Sequence, residues 1–482
     1  MLKVYNTLTR EKEEFIPLKE DKVGMYVCGL TVQNYSHLGH IRSAINYDVI
    51  RRYLEYKGYD VTYIMNFTDV NEKIVARAAE EGLTMMELAE KYARAYLEDI
   101  AELNIKPATR YVKATDNIDA IIKMIATLLE RGYAYEVNGN VYFSVDKFED
   151  YGKLSGRSLD EMQAGARLDV VEEKRNPMDF ALWKKAPEGE KEWDSPWGKG
   201  WPGWHIECSA MSTKYLGDSF DIHGGGSDLI FPHHENEIAQ SEACTGHTFA
   251  KYWLHNGPVN LKGEKMSKSL GNFFTTRELL EKYKADEIRY FLLTKNYRTP
   301  IDFSEEEMET AKVGLKRLSN LFYKLESLLF NNEHLEEVGG DLSAEGIMDK
   351  CRKRRVDFKE AMNDDFNTAL AIGVIHELVR DINSFINSPD FILQQKNCGV
   401  IKEVYGIFKE LVNILGLSLD DKANINNDEA VNNLMDFILK IREEAREQRD
   451  YQLADRIRDG LDKLGFLVKD TPQGVEWERV QR

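Results

Sequence analysis

Apolar and polar positions along the chain fall first into short buried runs and then into helical repeats. MYVCGL (25–30) is nearly continuous in apolar residues and predicts a buried strand. IRSAINYDVIRRYLEYKGY (41–59) repeats its apolar positions at helical spacing and stops at Gly58, and VTYIMNF (61–67) predicts a second strand. Strand, crossover helix and strand in that order open a parallel, Rossmann-like sheet. Helices are predicted onward to about residue 135, among them TMMELAEKYARAYLEDIAEL (84–103).

The pattern then changes. Over 136–202 Gly, Asp, Lys and Trp accumulate and strand-like pieces such as VYFSV (141–145) replace helices, which predicts an insertion. Strand and loop signals return with three consecutive glycines at Gly224–Gly226, so the sheet is expected to resume. From about Ser304 the repeat is almost wholly helical, with segments near 305–330, 344–361, 366–387, 399–416 and 428–449. A small helix (454–464) and a strand–turn–strand pattern, GFLVKDTPQGVEW, close the chain. The expected class is α/β: a Rossmann-like catalytic domain in two halves (1–135 and 203–303) around the insertion (136–202). A helical bundle (304–420) and a small C-terminal α+β domain (421–482) follow.

Composition narrows the setting. Of 482 residues 43% are hydrophobic and 30% charged, as in a well-packed multidomain protein. No apolar run is long enough for a membrane span. The start, MLKVYNTLTREKEEF, has charges where a signal peptide needs an apolar stretch, so a cytoplasmic location is expected. Five scattered cysteines (Cys28, Cys208, Cys244, Cys351, Cys398) argue against a disulfide framework and leave metal binding or burial. A net charge of −18 argues against indiscriminate nucleic-acid binding, and DNA is not an expected partner.

Two strings propose phosphate chemistry. His37 and His40, in H-L-G-H, sit where the first strand gives way to its helix, and a helix N-terminus attracts phosphate. Spacing of three puts both imidazoles on one face, and Gly39 lets a ligand approach. The plainer alternative is a capping turn with incidental histidines. K-M-S-K-S places Lys265 and Lys268 on a loop between Gly263 and Gly271, which suits a mobile polyphosphate clamp or, more plainly, an exposed basic loop. Metal-type residues gather nearby. In FPHHENE (231–237) Pro232 suits the first turn of a helix, on which His233 and Glu237 share a face. With Cys28 and Cys208 they make a four-ligand zinc set, although His234 could replace His233 and Cys28 could simply be buried.

Both strings, in this order after a β-α-β start, resemble the signatures of class I aminoacyl-tRNA synthetases, which bind ATP and activate an amino acid. MYVCGLTV, PGWHIECSAM, DIHGGGSDLIFPHHENEIAQ and EKMSKSLGN resemble the cysteinyl-tRNA synthetase family in particular, and the similarity runs to the final DTPQG. The resemblance implies one zinc ion held by Cys28, Cys208, His233 and Glu237, MgATP, L-cysteine and tRNA(Cys) as partners, and catalytic roles for His37, His40, Lys265 and Lys268. It implies ATP contacts at His37, Gly39, His40, Gly224, Gly225, Gly226, Asp228 and Lys268. Thr68, Trp204, His205 and His223 fall on the amino-acid side. The chain departs from the family pattern at Gln33-Asn34, Asn71 and Trp201.

Toward the C-terminus, the run Lys350–Arg355 is dense enough in charge to meet phosphates, though a solvated face is the plainer expectation. From Lys440 to Arg482 acidic and basic residues balance, within a strongly acidic chain. The resemblance implies an anticodon-binding end, with Asp455, Arg456, Asp470 and Trp477 as contacts. Two other functions stay open: a ligase joining cysteine to an amino-sugar, and a non-catalytic paralogue that binds tRNA or zinc. The first would end without an anticodon region, and the second would be expected to lose signature lysines or zinc ligands.

Overall fold

The computed structural model describes residues 1–157, 173–186, 189–261, 264–265, 274–330, 342–388, 395–419, 429–471 and 474–479. The chain forms two compact units, Met1–Ser418 and Leu419–Arg482.

The first unit is built on a five-stranded parallel sheet. Its strands are β3 (Lys22–Thr31), β4 (Asp60–Thr68), β5 (Arg110–Lys113), β10 (Phe220–Gly226) and β11 (Ala250–Asn256), in the order β11-β10-β3-β4-β5. Helices cover it on both faces, which is why MYVCGL and VTYIMNF read as continuous apolar runs and not as alternation. The crossover helix α1 (Leu38–Tyr56) ends two residues before Gly58, whose φ of 98° turns the chain into β4. Twelve of the 19 residues of α1 are buried, including Arg42 and Asp48. Ahead of the sheet, β1 (Lys3–Asn6) and β2 (Glu11–Glu14) form a hairpin that the apolar pattern does not announce, since the faces of β2 are polar. Helices α2 (Glu72–Glu81) and α3 (Met85–Glu102) lie between β4 and β5, and Asn71, one of the departures, caps α2 by accepting from Lys73 N.

The insertion is an antiparallel sheet of β6 (Ala134–Val137), β7 (Asn140–Phe143), β8 (Phe180–Lys184) and β9 (Trp201–Pro202). Its strands pack on α4 (Ile118–Glu130), α5 (Trp204–Leu216) and α6 (Glu235–Thr245) through Ile121, Leu128, Phe143, Trp183, Ile206 and Ala239. Trp201, another departure, is buried in the last of these strands. Beyond β11, a small sheet of β12 (Val259–Leu261), β13 (Glu264–Lys265) and β14 (Ile301–Phe303) brackets α7 (Thr276–Lys282) and α8 (Ala285–Leu293).

Among the described residues four helices complete this unit: α9 (Glu305–Phe330), α10 (Leu342–Asn363), α11 (Thr368–Ile386) and α12 (Gln395–Ile414). The buried Arg289 of α8 ties the end of α12 to α1 and to the end of α3, pairing with Asp48 and donating to Leu415 O and Leu103 O. Much of the basic run on α10 is occupied within the protein. Arg354 pairs with Asp357, Glu377 and Asp381, Arg352 with Asp349 and Glu403, and Arg355 with Glu410. The plainer expectation for that run is the one its arginines fit.

The second unit contains α13 (Glu429–Glu447), α14 (Tyr451–Lys463) and an antiparallel hairpin of β15 (Phe466–Thr471) and β16 (Gly474–Arg479). Met435, Leu439 and Leu461 form its core, with Trp477 packed against them.

Candidate metal and nucleotide site

The site begins with an irregularity in β3. Val27 pairs with Met65 and Leu30 with Phe67, so Cys28 and Gly29 together face Asn66. Such a bulge turns a side chain out of the regular alternation. Gly29 is required there, since a Cβ would fall 1.8 Å from Asn66 O, while its N–H donates to Asn66 Oδ1 at 2.9 Å. Cys208 arrives from α5, whose first turn is pressed onto β8 so tightly that a Cβ on Gly203 would meet Ala181 O at 1.9 Å. His233 and His234 lie in an irregular turn, Ile230–His234, and Glu237 follows in the first turn of α6. Regular helix therefore begins at Glu235, three residues later than Pro232 suggests, yet His233 and Glu237 still meet.

One ligand atom from each of Cys28, Cys208, His233 and Glu237 lies within 4.8 Å of the others, and all four residues are buried. Cys28 Sγ is 3.7 Å from Cys208 Sγ and 3.4 Å from Glu237 Oε1, and His233 Nε2 is 3.0 Å from the same oxygen. Neither cysteine is in a disulfide. A second set, Cys28, His223, His234 and Glu237, meets the same distance condition.

Hydrogen bonds separate the histidines by role. His223 Nε2 is 2.7 Å from Glu237 Oε2, and His233 Nδ1 is 2.9 Å from His205 Nδ1. His234 Nε2 is 3.3 Å from Cys28 Sγ, while its Nδ1 meets His255 Nε2 at 2.7 Å and His255 Nδ1 meets Thr7 Oγ1 at 2.8 Å. When Cys28 is a thiolate this relay must run one way: the Thr7 hydroxyl donates to His255, His255 to His234, and His234 Nε2–H to sulfur. Neither His255 nor Thr7 is singled out by sequence spacing.

Burial opposes charge throughout the cluster, and the groups resolve it unequally. Cys28 is pushed well above the usual thiol value by burial, by its bond to Cys208 and by the charges of Cys208 and Glu237. In Cys208 burial is outweighed by the Cys28 bond and by His233, and the thiol falls to about 6. In His233 burial is overcome by Glu237 and Cys208, and the imidazole rises to about 10. Glu237 is held well below the carboxylate range, despite burial, by His223 and His233. The metal-free cluster thus keeps protons on Cys28 and His233, between a thiolate and a carboxylate. A divalent cation displacing those two protons leaves the net charge unchanged, and two thiolates with one imidazole and one carboxylate are donors suited to zinc.

A cavity of about 230 Å³ adjoins the cluster, lined by Cys28, His37, Gly39, His40, Gly226 and Asp228 among others. His37 is the N-cap of α1: its Nδ1 accepts from Gly39 N at 3.1 Å and His40 N at 3.4 Å, and its ring stacks on His40 at 3.7 Å. Capping and cavity lining coexist in one residue. Gly224 and Gly225 are not among the lining residues. Their missing Cβ atoms make room for Tyr47, at 2.4 Å, and His234, at 2.8 Å. Trp204 is 41% exposed and lies over His233, ring centroids 4.3 Å apart. Thr68 Oγ1 donates to the buried Glu207 at 3.0 Å, a partner that sequence spacing does not mark. The backbone of Lys265 lies in β13, and Lys268 lies outside the described residues.

Residues 14–313 match the family described as tRNA synthetases class I (C) catalytic domain, 357–420 the DALR domain, and 429–477 the cysteinyl-tRNA ligase anticodon binding domain. A cysteine–tRNA ligase of Heliobacterium modesticaldum is 52% identical, covering 99% of this chain and 100% of its own length. One from Clostridioides difficile is 50% identical over the same shares. The fold also resembles the methionyl-tRNA synthetase of Mycobacterium tuberculosis in complex with methionyl-adenylate. The TM-score is 0.64 at 17% identity, over 82% of this chain and 92% of that one, a likeness of fold alone.

Proposed function

The chain belongs to the cysteinyl-tRNA ligase family of class I aminoacyl-tRNA synthetases, and on that premise we propose how its residues divide the work. It is a cysteine–tRNA ligase. Cys28, Cys208, His233 and Glu237 hold one zinc ion. His223, His234 and His205 orient those ligands, since hydrogen bonds to the outer side of a ligand fix its geometry. When bound, zinc supplies a coordination site for the substrate thiolate, separating cysteine from the nearly isosteric serine better than pocket shape could.

Trp204 and Thr68 flank the amino acid, with His205 and His223 behind. ATP, with magnesium, lies against His37, Gly39, His40, Gly226 and Asp228 and under Lys268. Gly224 and Gly225 keep the strand behind it close-packed. The cysteine carboxylate attacks the α-phosphorus of ATP, pyrophosphate leaves, and the terminal ribose hydroxyl of tRNA(Cys) then attacks the carbonyl and releases AMP. His37, His40, Lys265 and Lys268 stabilise the charge on phosphate. No side chain acts as nucleophile, so the chain contributes positioning and electrostatics. Residues 304–482 grip the tRNA, with Asp455, Arg456, Asp470 and Trp477 at the anticodon. No helix among the described residues is long and apolar enough to cross a membrane, and the reaction belongs in the cytoplasm.

One observation carries this reading: Cys28 belongs both to the four-ligand cluster and to the wall of the cavity beside His37 and His40. A thiol-binding centre and a phosphate-binding helix end then share one space. The match to an anticodon-binding domain at 429–477 disfavours a ligase acting on an amino-sugar. ATP–pyrophosphate exchange with each amino acid, before and after zinc is stripped, tests the reading. Exchange should require cysteine, vanish with zinc and return with it. Equal exchange with serine, or indifference to stripping, would sink it.

A further inference from the structure

Arg42 lies two positions beyond His40 on α1 and is completely buried. Its Nη1 donates to Pro258 O at 2.5 Å, and its Nη2 donates to Tyr297 O at 3.2 Å and to Thr299 O. Burial lowers the guanidinium to about 10, with no carboxylate contributing. A buried cation satisfied only by main-chain carbonyls is costly to keep, so what those carbonyls belong to matters.

They belong to two crossing segments. Gly257–Pro258 joins β11 to β12, and Tyr297–Thr299 leads from α8 into β14. The crossing is tight: a Cβ on Gly257 would fall 2.5 Å from Arg298 O, and Gly257 N donates to Tyr297 O at 2.9 Å. Asn256, Gly257, Pro258 and Val259 line the same cavity as His37 and His40. Directly beyond them β12 pairs with β13, which carries Lys265. On the far side of the lysine string, Leu38 N donates to Phe274 O at 3.3 Å and Thr276 N to Ser36 O at 2.9 Å. The stretch bearing both signature lysines is therefore fastened at each end to the segment bearing the signature histidines, and Arg42 is the side-chain fastener on the incoming side.

We infer that Arg42 is a positioning residue for ATP: by gripping three carbonyls it holds the 256–259 wall and the root of the lysine strand in register with His37 and His40. The inference rests on reading those residues as the ATP site. Methionine at this position approximates the volume and removes every donor.

In cysteine-dependent pyrophosphate exchange, Arg42→Met should raise KM for ATP roughly tenfold to a hundredfold and lower kcat, as small misplacements do. Zinc content should match the parent, and KM for cysteine should stay within about twofold. Arg42→Lys, which reaches a single carbonyl, should recover part of the ATP KM. It carries the test if the methionine variant does not fold. Parental ATP kinetics in either folded variant would overturn the inference. So would a loss falling equally on cysteine KM and zinc content, which marks general destabilisation. A parent protein with no cysteine-dependent exchange would overturn the ATP-site reading itself.

Discussion

His223 Nε2 stands 2.7 Å from Glu237 Oε2, and both side chains are completely buried. The other oxygen of Glu237 faces Cys28 and His233, so one carboxylate is divided between an inner task and an outer support. His223→Phe keeps ring volume and removes the donor. Zinc affinity should fall by about 10–100-fold, because a ligating carboxylate without its outer hydrogen bond is misoriented and poorly solvated. Competition against a chelating dye measures this. Parental affinity would show that Glu237 needs no outer donor.

Cys208→Ser should lose zinc and cysteine activation together. A neutral hydroxyl is a poor zinc ligand, and only three donors would remain. Metal analysis of the purified variant is the check. A full zinc complement would remove Cys208 from the site, and full activity without zinc would remove the metal from substrate selection.

Zinc binding to the stripped protein at about pH 7.5 should release about two protons per ion, from Cys28 and His233. Both groups lie above their ordinary values in the metal-free cluster, so both are protonated at neutral pH. Cys208 titrates near 6. Below that pH a third proton must leave, and affinity should weaken more steeply with each unit of acidification. A pH indicator in weak buffer reports the release. One proton or none would mean that other groups hold the ion.

A chain ending after Leu419, at the boundary between the two units, should still activate cysteine and should charge tRNA poorly. Weaker tRNA affinity is the expected cause, and added salt should weaken the full-length protein's binding because phosphate contacts are screened. Circular dichroism and zinc content establish that the truncated chain is folded. Parental charging by it would show that 421–482 does not grip tRNA.

Local chemistry was legible and long-range pairing was not. Sulfur at Cys28, the His233–Glu237 spacing and the strand–helix–strand opening are short-range features, and each meets its expected neighbours. The bulge that aims Cys28 depends on how two strands register, which no single strand encodes. The glycines at 224 and 225 stand out in the sequence, but their reason, Tyr47 and His234 pressed against them, appears only in three dimensions. The arginines from Arg352 to Arg355 suggest a phosphate surface until Glu377, Asp381, Glu403 and Glu410 arrive from other helices. Arg42 is the clearest case: it is one of five charged residues in α1, and nothing in the sequence points it to three distant carbonyls.

The spread of the cluster along the chain bears on how the protein is made. Cys28 and Glu237 are 209 residues apart. At translation rates of about 5–20 residues per second, Cys28 leaves the ribosome on the order of 10–40 s before Glu237 exists. Through that interval it is a lone thiol, and Cys208, 180 residues away, joins only near the end. The ion therefore cannot nucleate the sheet as it emerges. Metal loading is a late step of biosynthesis, made by a strand, a bulge and two helices that must already have found one another.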